Sequence, residues 1–378
     1  MREIQSYPHR INNLDRIIIS RNDDKWQGHP DIAYFRDNIY VIYRESDRHL
    51  TPGGTAIILV RCTLIPKDNT IIATEEIEIC TSEDRLNCPR LSVIDGELWI
   101  TCDKIQSGDN FIAAENIQEN TKILLWRSGD GQEWTGPIET NITGIVPDRI
   151  CQFGNRYLIA THTKKLPDEV SEAITKQLPE HQKSFQDLYA NEQKKGHLVQ
   201  NVWITKDLKE DWTRVPVADQ SSFNFCEASI IKLDKMLLCF MRENSGKGLP
   251  AFMSISLNGG SAWSTPQPTR LFGCHRPVVG VLESGNLLVT YREQSSVLAP
   301  SCWARNTFAA LIRKDSILSS CNKSVILPLD HDASRIKSDS GYTGWVQLPT
   351  GRIVVVNYIT DEAPRPYICG YLISEDNF

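Results

Sequence analysis

The chain has no run of 18 apolar residues, so no membrane-spanning helix is expected. Its first residues, Met1-Arg-Glu-Ile-Gln-Ser-Tyr7, hold no apolar core of the kind a secretion signal needs. Cys-x-x-Cys does not occur, so paired thiolate ligands for zinc are not expected. The eleven cysteines are odd in number, and Cys102, Cys239 and Cys369 stand inside apolar runs, where a thiol acts as a small hydrophobe. A reduced, cytoplasmic setting is the simplest expectation. Positive charge is not in excess either. A net charge of −6 disfavours nucleic acid as the main partner.

What the chain does have is one pattern written six times: an apolar run, a short turn, then a second apolar run ending in a polar or aromatic residue. The second runs are Ile39–Arg44, Glu97–Asp103, Arg156–His162, Met236–Arg242, Asn286–Arg292 and Arg352–Tyr358, and their last residues lie 59, 59, 80, 50 and 66 positions apart. A strand repeat of this size predicts an all-β fold, a six-bladed β-propeller occupying residues 1–378 as one domain. Third strands follow in each blade, as in Thr55–Arg61 and Tyr367–Ile373. The last of them ends near the C-terminus, so the run at residues 14–21 is expected to supply the outer strand of blade six. The long spacing marks an insertion. Residues 166–195 read as helical, with Val170, Ile174 and Leu178 at i, i+4 and i+8.

A propeller gathers its inner strands around one axis. Counting back 13 to 16 residues from each second-strand end reaches Asp31, Arg90, Arg149, Glu227, Arg276 and Tyr342. The second-strand ends add Arg44, Asp103, His162, Arg242, Arg292 and Tyr358. Such a set predicts a polar, arginine-rich site at the axis. Arginine offers planar paired donors to a carboxylate or phosphate, so an anionic ligand is expected. Carboxylates beside such a ligand suit glycosidic-bond chemistry.

Three loops share a further signature, Ser128–Trp134, Thr205–Trp212 and Ser256–Trp263: Ser or Thr, then Asp or Asn, then a closing Trp. The acid or amide holds a tight turn and the Trp packs back on the blade. These loops resemble the Asp-box of sialidases. The second half of the chain is similar to the same superfamily. Phe225-Cys-Glu227-Ala-Ser with Arg242 resembles the segment of the catalytic glutamate and a triad arginine. Ser-Cys-Trp-Ala-Arg305 resembles another triad-arginine segment. Asp-Ser-Gly-Tyr342-Thr-Gly resembles the segment of the nucleophilic tyrosine. In the first half, Tyr43-Arg44-Glu-Ser-Asp47 falls where the family has an arginine and then the acid/base aspartate. Blade one departs from the family pattern. Gln27-Gly-His29-Pro-Asp31 stands where the first triad arginine belongs.

The resemblance implies a glycosidase of exo-α-sialidase type, with Tyr342 and Glu227 as nucleophile pair, Asp47 as acid/base, and an anionic carbohydrate as the partner. Arg242, Arg305, Arg276 or Arg90, with Arg44, Arg149, Asp31 and His29, would line the substrate. No metal or organic cofactor is implied. The residues leave alternatives open. Asp31 and Glu227 could act as a carboxylate pair. A uronate lyase could use His29, His162 or Tyr342 as base. A propeller that only binds glycans or proteins is the third.

Overall fold

The computed structural model describes residues 14–51, 53–65, 70–106, 121–165, 196–294, 306–319, 324–332 and 339–378. Strand β1 spans Ile17–Ser20. Blade one is β2 (Trp26–Phe35), β3 (Asn38–Ser46), β4 (Thr55–Ile65) and β5 (Thr70–Ser82). Blade two is β6 (Arg85–Ile94), β7 (Glu97–Ile105), β8 (Thr121–Ser128) and β9 (Thr135–Glu139). Blade three is β10 (Cys151–Phe153), β11 (Arg156–Lys165), β12 (His197–Thr205) and β13 (Thr213–Ala218). Blade four is β14 (Phe225–Leu233), β15 (Met236–Glu243), β16 (Pro250–Ser256) and β17 (Gln267–Phe272). Blade five is β18 (Cys274–Val281), β19 (Leu287–Glu293), β20 (Asn306–Ile312) and β21 (Ser324–His331). Blade six is β22 (Thr343–Gln347), β23 (Ile353–Ile359) and β24 (Tyr367–Ile373), with β1 as its outer strand. Every sheet is antiparallel and four-stranded, and together they form a six-bladed propeller. No α-helix occurs among the described residues, and the expected helical insertion at 166–195 lies outside them.

The second strands are β-branched and aromatic and are buried on both faces, as β3 and β23 show. Tight turns join them to the first strands. Arg36 and Asp37, and likewise Asp95 and Gly96, take positive φ in two-residue hairpin loops. The three Trp-ended loops close on their own side chains. Asp130 Oδ1 accepts from the amides of Gln132 and Glu133 at 2.8 and 2.9 Å, and Asn258 Oδ1 accepts from Ala262 at 2.9 Å. Trp212 is buried between blades two and three. These loops are part of the scaffold, away from the axis.

The core is not one mass. A separate apolar cluster fills each of the six blade interfaces, from Ile32, Val41 and Val356 between blades one and six to Leu158, Ile230 and Cys239 between blades three and four. Each buried Leu, Ile or Val there contributes on the order of 2 kcal/mol. All nine described cysteines are free.

Near the axis the blades are stitched by polar atoms. Asp31 Oδ2 accepts from the Leu91 amide at 2.9 Å, Ser92 Oγ from Ile150 at 2.8 Å, Asp148 Oδ2 from Ile230 at 2.7 Å and Ser229 Oγ from Val279 at 3.2 Å. Each bond runs from one blade to the next. Trp345 Nε1 donates to Val278 O at 3.0 Å and ties blade six back to blade five.

Ring closure rests on β1, which pairs Ile17 with Gly370 and Ile18 with Cys369 of β24. Just before it, Arg16 Nε binds Asp330 at 2.6 Å and Arg16 Nη1 binds Asp361 at 2.5 Å. Both carboxylates are almost fully buried. Arg16→Leu would remove the cation that both carboxylates share, and breaking a buried pair typically costs about 3 kcal/mol or more. Urea denaturation is expected to show the midpoint falling with the slope unchanged.

Candidate active site

The inner strands share one irregularity. The β2–β3 register slips between Gly28 and Asp31, β6–β7 between Asn87 and Arg90, β14–β15 between Cys226 and Ser229, and β18–β19 between His275 and Val278. At each slip one non-glycine residue takes positive φ: His29 (56°), Cys88 (45°), Glu227 (48°) and Arg276 (53°). Val146 (54°) does the same in blade three. Proline follows in four of these five, at Pro30, Pro89, Pro147 and Pro277, where its missing amide leaves no gap in the ladder. Left-handed backbone at non-glycine residues is strained, and strain of this kind gathers at functional sites. The bulges turn these side chains toward one end of the axis.

Tyr342 and Glu227 meet there. The Tyr342 hydroxyl donates to Glu227 Oε1 in a very short hydrogen bond. Arg242 Nη1 donates to the same oxygen at 2.8 Å, and Arg242 Nη2 to Asn244 Oδ1 at 2.6 Å. The Arg292 guanidinium lies 4.5 Å from the centre of the Tyr342 ring. Burial opposes the Glu227 charge, but Arg242 and Arg292, with the bonds from Arg242 and Tyr342, hold the carboxyl well below the usual range. Burial and then Glu227 raise the Tyr342 phenol, against the two arginines, so it stays protonated. Arg242 Nε, Arg292 Nε, Arg276 Nη1 and Glu227 Oε2 have no hydrogen-bond partner among the described residues. Gly341 makes the packing possible. Its φ is 97°, and a Cβ there would lie 2.7 Å from Arg292 Cγ. His162 closes this side by accepting the Glu227 amide at Nδ1, 3.3 Å away. Burial pushes its imidazole down to about 4.

The blade-one side is aromatic. His29 stacks on Tyr342 at 5.0 Å and presents its Nδ1 to Asn87 Oδ1 at 2.8 Å. Asn87 Oδ1 also accepts from Arg44 Nη1 at 2.8 Å, so it is the acceptor and His29 Nδ1 the donor. Burial, Arg44 and His49 hold His29 well below its usual pKa, as a neutral ring. Arg44 is fully buried, 4.2 Å from the Trp26 ring centre, and burial with Arg85 nearby pushes it down to about 10. His49 stacks on Trp26 at 4.8 Å and binds Asp339 through Nδ1 at 2.9 Å. Asp339 also accepts from Trp26 Nε1 at 2.7 Å and from the Tyr358 hydroxyl at 2.9 Å. Asp103, fully buried across from Asn87, is pushed up to about 6 by burial, with Arg85 opposing.

The axial residues thus separate into two levels. Glu227, Tyr342, Arg242, Arg276, His29 and Arg44 gather around the mouth. Asp31, Arg90 and Arg149 lie two or three residues deeper along the chain, and both arginines bind Asp31. Arg149 Nη2 reaches Asp31 Oδ1 at 2.5 Å, Ile32 O and Trp345 O at 3.0 Å, and so spans from blade three to blades one and six. Arg90 Nε is 3.4 Å from Asp31, and Arg90 Nη1 donates to Thr343 O at 3.2 Å. Burial pushes Arg90 down to about 10, with Asp31 opposing. Arg276 Nη2 donates to Pro147 O at 3.0 Å. Asp31 is therefore engaged below the mouth and does not form a carboxylate pair with Glu227.

Asp47 is not brought to the mouth. Its carboxylate is 80% exposed and binds Lys25 at 2.6 Å. Arg305 lies outside the described residues. Arg292, at a second-strand end, stands beside Tyr342. His49 and Asp339 carried no signal by register, because both sit in loops beyond the strand ends. Among the described residues no group of three or more His, Cys, Asp and Glu is arranged to hold a metal ion.

No protein-family model matches the sequence, and no curated protein does either. Solved structures do match. A protein of unknown function from Dyadobacter fermentans superposes with a TM-score of 0.70 at 16% identity, over 97% of this chain and 99% of that one. A Hadza microbial sialidase gives a TM-score of 0.62 at 13% identity, over 93% of this chain and 66% of that one. Trypanosoma rangeli sialidase, solved with sialic acid, gives 0.60 at 10% identity, over 97% of this chain and 59% of that one. The chain thus spans about two thirds or less of these sialidase chains. The fold is the sialidase-like propeller.

Asp31 gives a stability prediction. Burial raises its pKa, but Arg149, Arg90 and the Leu91 amide outweigh that and leave it lowered. A lowered folded pKa stabilises above the unfolded value, and that stability is lost as pH falls through the folded one. Asp31→Asn is expected to cost about 3–5 kcal/mol at neutral pH by leaving buried arginines unpaired. Its deficit against the wild type should shrink in acid, as chemical denaturation at several pH values would show.

Proposed function

We propose that this protein is a glycoside hydrolase of sialidase type that cleaves a terminal acidic sugar, a sialic acid or related ulosonic acid. The observation that carries the reading is the Tyr342 hydroxyl donating to Glu227 Oε1, with Arg242 on the same oxygen and Arg292 over the phenol ring. An anomeric carbon that bears a carboxylate repels a carboxylate nucleophile. A neutral phenol is not repelled, and Glu227, held ionised, takes its proton as the oxygen attacks. Arg242 and Arg292 supply the positive charge that a sugar carboxylate needs, and their planar donors suit it. Arg276, at its bulge, adds a donor from blade five. At the axis Arg44, Arg90, Arg149, Arg242, Arg276 and Arg292 outnumber Asp31, Asp103, Asp148 and Glu227, which favours an anionic ligand.

The engagement of Asp31 with Arg149 and Arg90 counts against a carboxylate-pair glycosidase. A lyase base at His29 or His162 is disfavoured too, since both rings are buried.

The test is a panel of 4-methylumbelliferyl glycosides: sialosides, other ulosonic acid ketosides, uronides and neutral hexosides. Turnover is expected only for the α-ketosides of acidic sugars. Tyr342→Phe and Glu227→Gln should lose several orders of magnitude in kcat with an unchanged fold. Arg242→Lys should act mainly on KM, since an ammonium cannot reproduce the paired donors. Full activity in Tyr342→Phe would sink the reading.

A further inference from the structure

The hydrolase reading needs a group that protonates the leaving oxygen and later activates water. Asp47, the residue the sialidase resemblance points to, faces solvent and Lys25. Two residues on, the chain turns back. Arg44 Nη2 donates to His49 O at 2.6 Å and Ser46 Oγ to Arg48 O at 3.0 Å, which fixes the backbone of this loop. The His49 side chain is thereby laid on Trp26, with its ring centre 5.1 Å from that of His29. His29 in turn is 5.0 Å from Tyr342, so a continuous row of rings joins His49 to the nucleophile. His49 is 34% exposed and Asp339 27%, whereas His29 and His162 are buried.

Resting on the hydrolase reading, we propose that His49, oriented by Asp339, is the general acid/base of this site. Asp339 takes up Nδ1 and leaves Nε2 as the working nitrogen. The carboxylate is itself held by Trp26 and Tyr358, so it cannot swing away. Its pKa is driven down, against burial, by the bond and charge of His49 and by those two donors. An ionised Asp339 stabilises the imidazolium, the form that donates a proton.

The chemistry balances in two steps. In the first, Tyr342 Oη bonds to the anomeric carbon and its proton passes to Glu227. The bond to the leaving oxygen breaks, and that oxygen takes a proton from His49 Nε2. In the second, neutral His49 takes a proton from water. The water oxygen bonds to the anomeric carbon, the bond to Tyr342 Oη breaks, and Oη recovers its proton from Glu227. Glu227, Tyr342 and His49 are restored, and one water is consumed. Asp339 is a positioning residue throughout.

The test uses two α-ketosides of N-acetylneuraminic acid, the 4-methylumbelliferyl ketoside and sialyllactose. The aryl leaving group departs with little protonation and the sugar alkoxide does not. His49→Ala is expected to lower kcat/KM for sialyllactose by about 10²–10⁴-fold. For the aryl ketoside kcat/KM should be nearly unchanged, while kcat falls and a burst appears, because the second step still needs a base. Azide should rescue that kcat. Asp47→Ala should match the wild type on both probes.

Asp339→Asn should give a milder loss on sialyllactose and leave kcat/KM for the aryl ketoside near the wild-type value, a split that a merely structural defect would not produce. Equal loss on both probes in His49→Ala, or no loss on either, would overturn the role of His49 while leaving the hydrolase reading in place. Wild-type protein silent on both probes would instead overturn the hydrolase reading, and the role of His49 with it.

Discussion

The Asp31 carboxylate is the interaction on which the site depends. It has no exposure, and it binds Arg149 from blade three, Arg90 from blade two and the Leu91 amide. Buried charge is unfavourable unless paired, and here the pairing spans the axis. Arg149 goes on to the carbonyls of Ile32 and Trp345, and Arg90 to those of Pro30 and Thr343. Inner-strand carbonyls that would face an open channel thus have donors. The close approach is real: a Cβ on Gly344 would overlap Asp31 Oδ1.

A plugged axis changes what the inner strands present above it. The bulges at His29, Cys88, Val146, Glu227 and Arg276 lift one side chain out of the ladder in each of blades one to five. The strain of five left-handed non-glycine residues is offset by the bonds that those residues and their neighbours make. Glu227 is the clearest case. Its amide bonds His162, and its carboxylate takes Arg242 and Tyr342. The Glu227–Tyr342 pair is therefore held by β14, β15 and the strand entry of β22 together.

Much of this was legible in the chain. The six second strands gave the blades, and β1 could be placed by the missing outer strand of blade six. Glu227, Arg242 and Tyr342, whose side chains meet, were singled out by register and flanking residues. The count back from the strand ends, however, mixed two levels. It reached the bulge residue in blades four and five, Glu227 and Arg276, but the residue two further on in blades one and two, Asp31 and Arg90. A signal was present. The X-Pro pairs at 29–30, 88–89, 146–147 and 276–277 mark the bulges, since proline avoids a regular ladder position. Asp47 stands apart from the mouth for another reason. Loop residues obey no strand register, and the turn at Arg48 faces Asp47 outward and His49 inward.

The departure in blade one reaches further than one lost arginine. An arginine at the mouth would bring charge beside Tyr342 from a second side. His29 instead brings a neutral ring, because burial and Arg44 keep it unprotonated. The phenol then has a cation near its ring from blade five and an uncharged stack from blade one. The positive charge of blade one has not vanished. It sits in Arg44, buried against Trp26 and bonded to Asn87 and the His49 carbonyl, where it shapes the loop that carries His49. The charge of blade one serves the loop backbone, and its aromatic surface serves the mouth. That division leaves the cations beside Tyr342 and Glu227 to blades four and five. It also makes the blade-one side of the mouth a surface of rings, apolar in face and polar only at its edges.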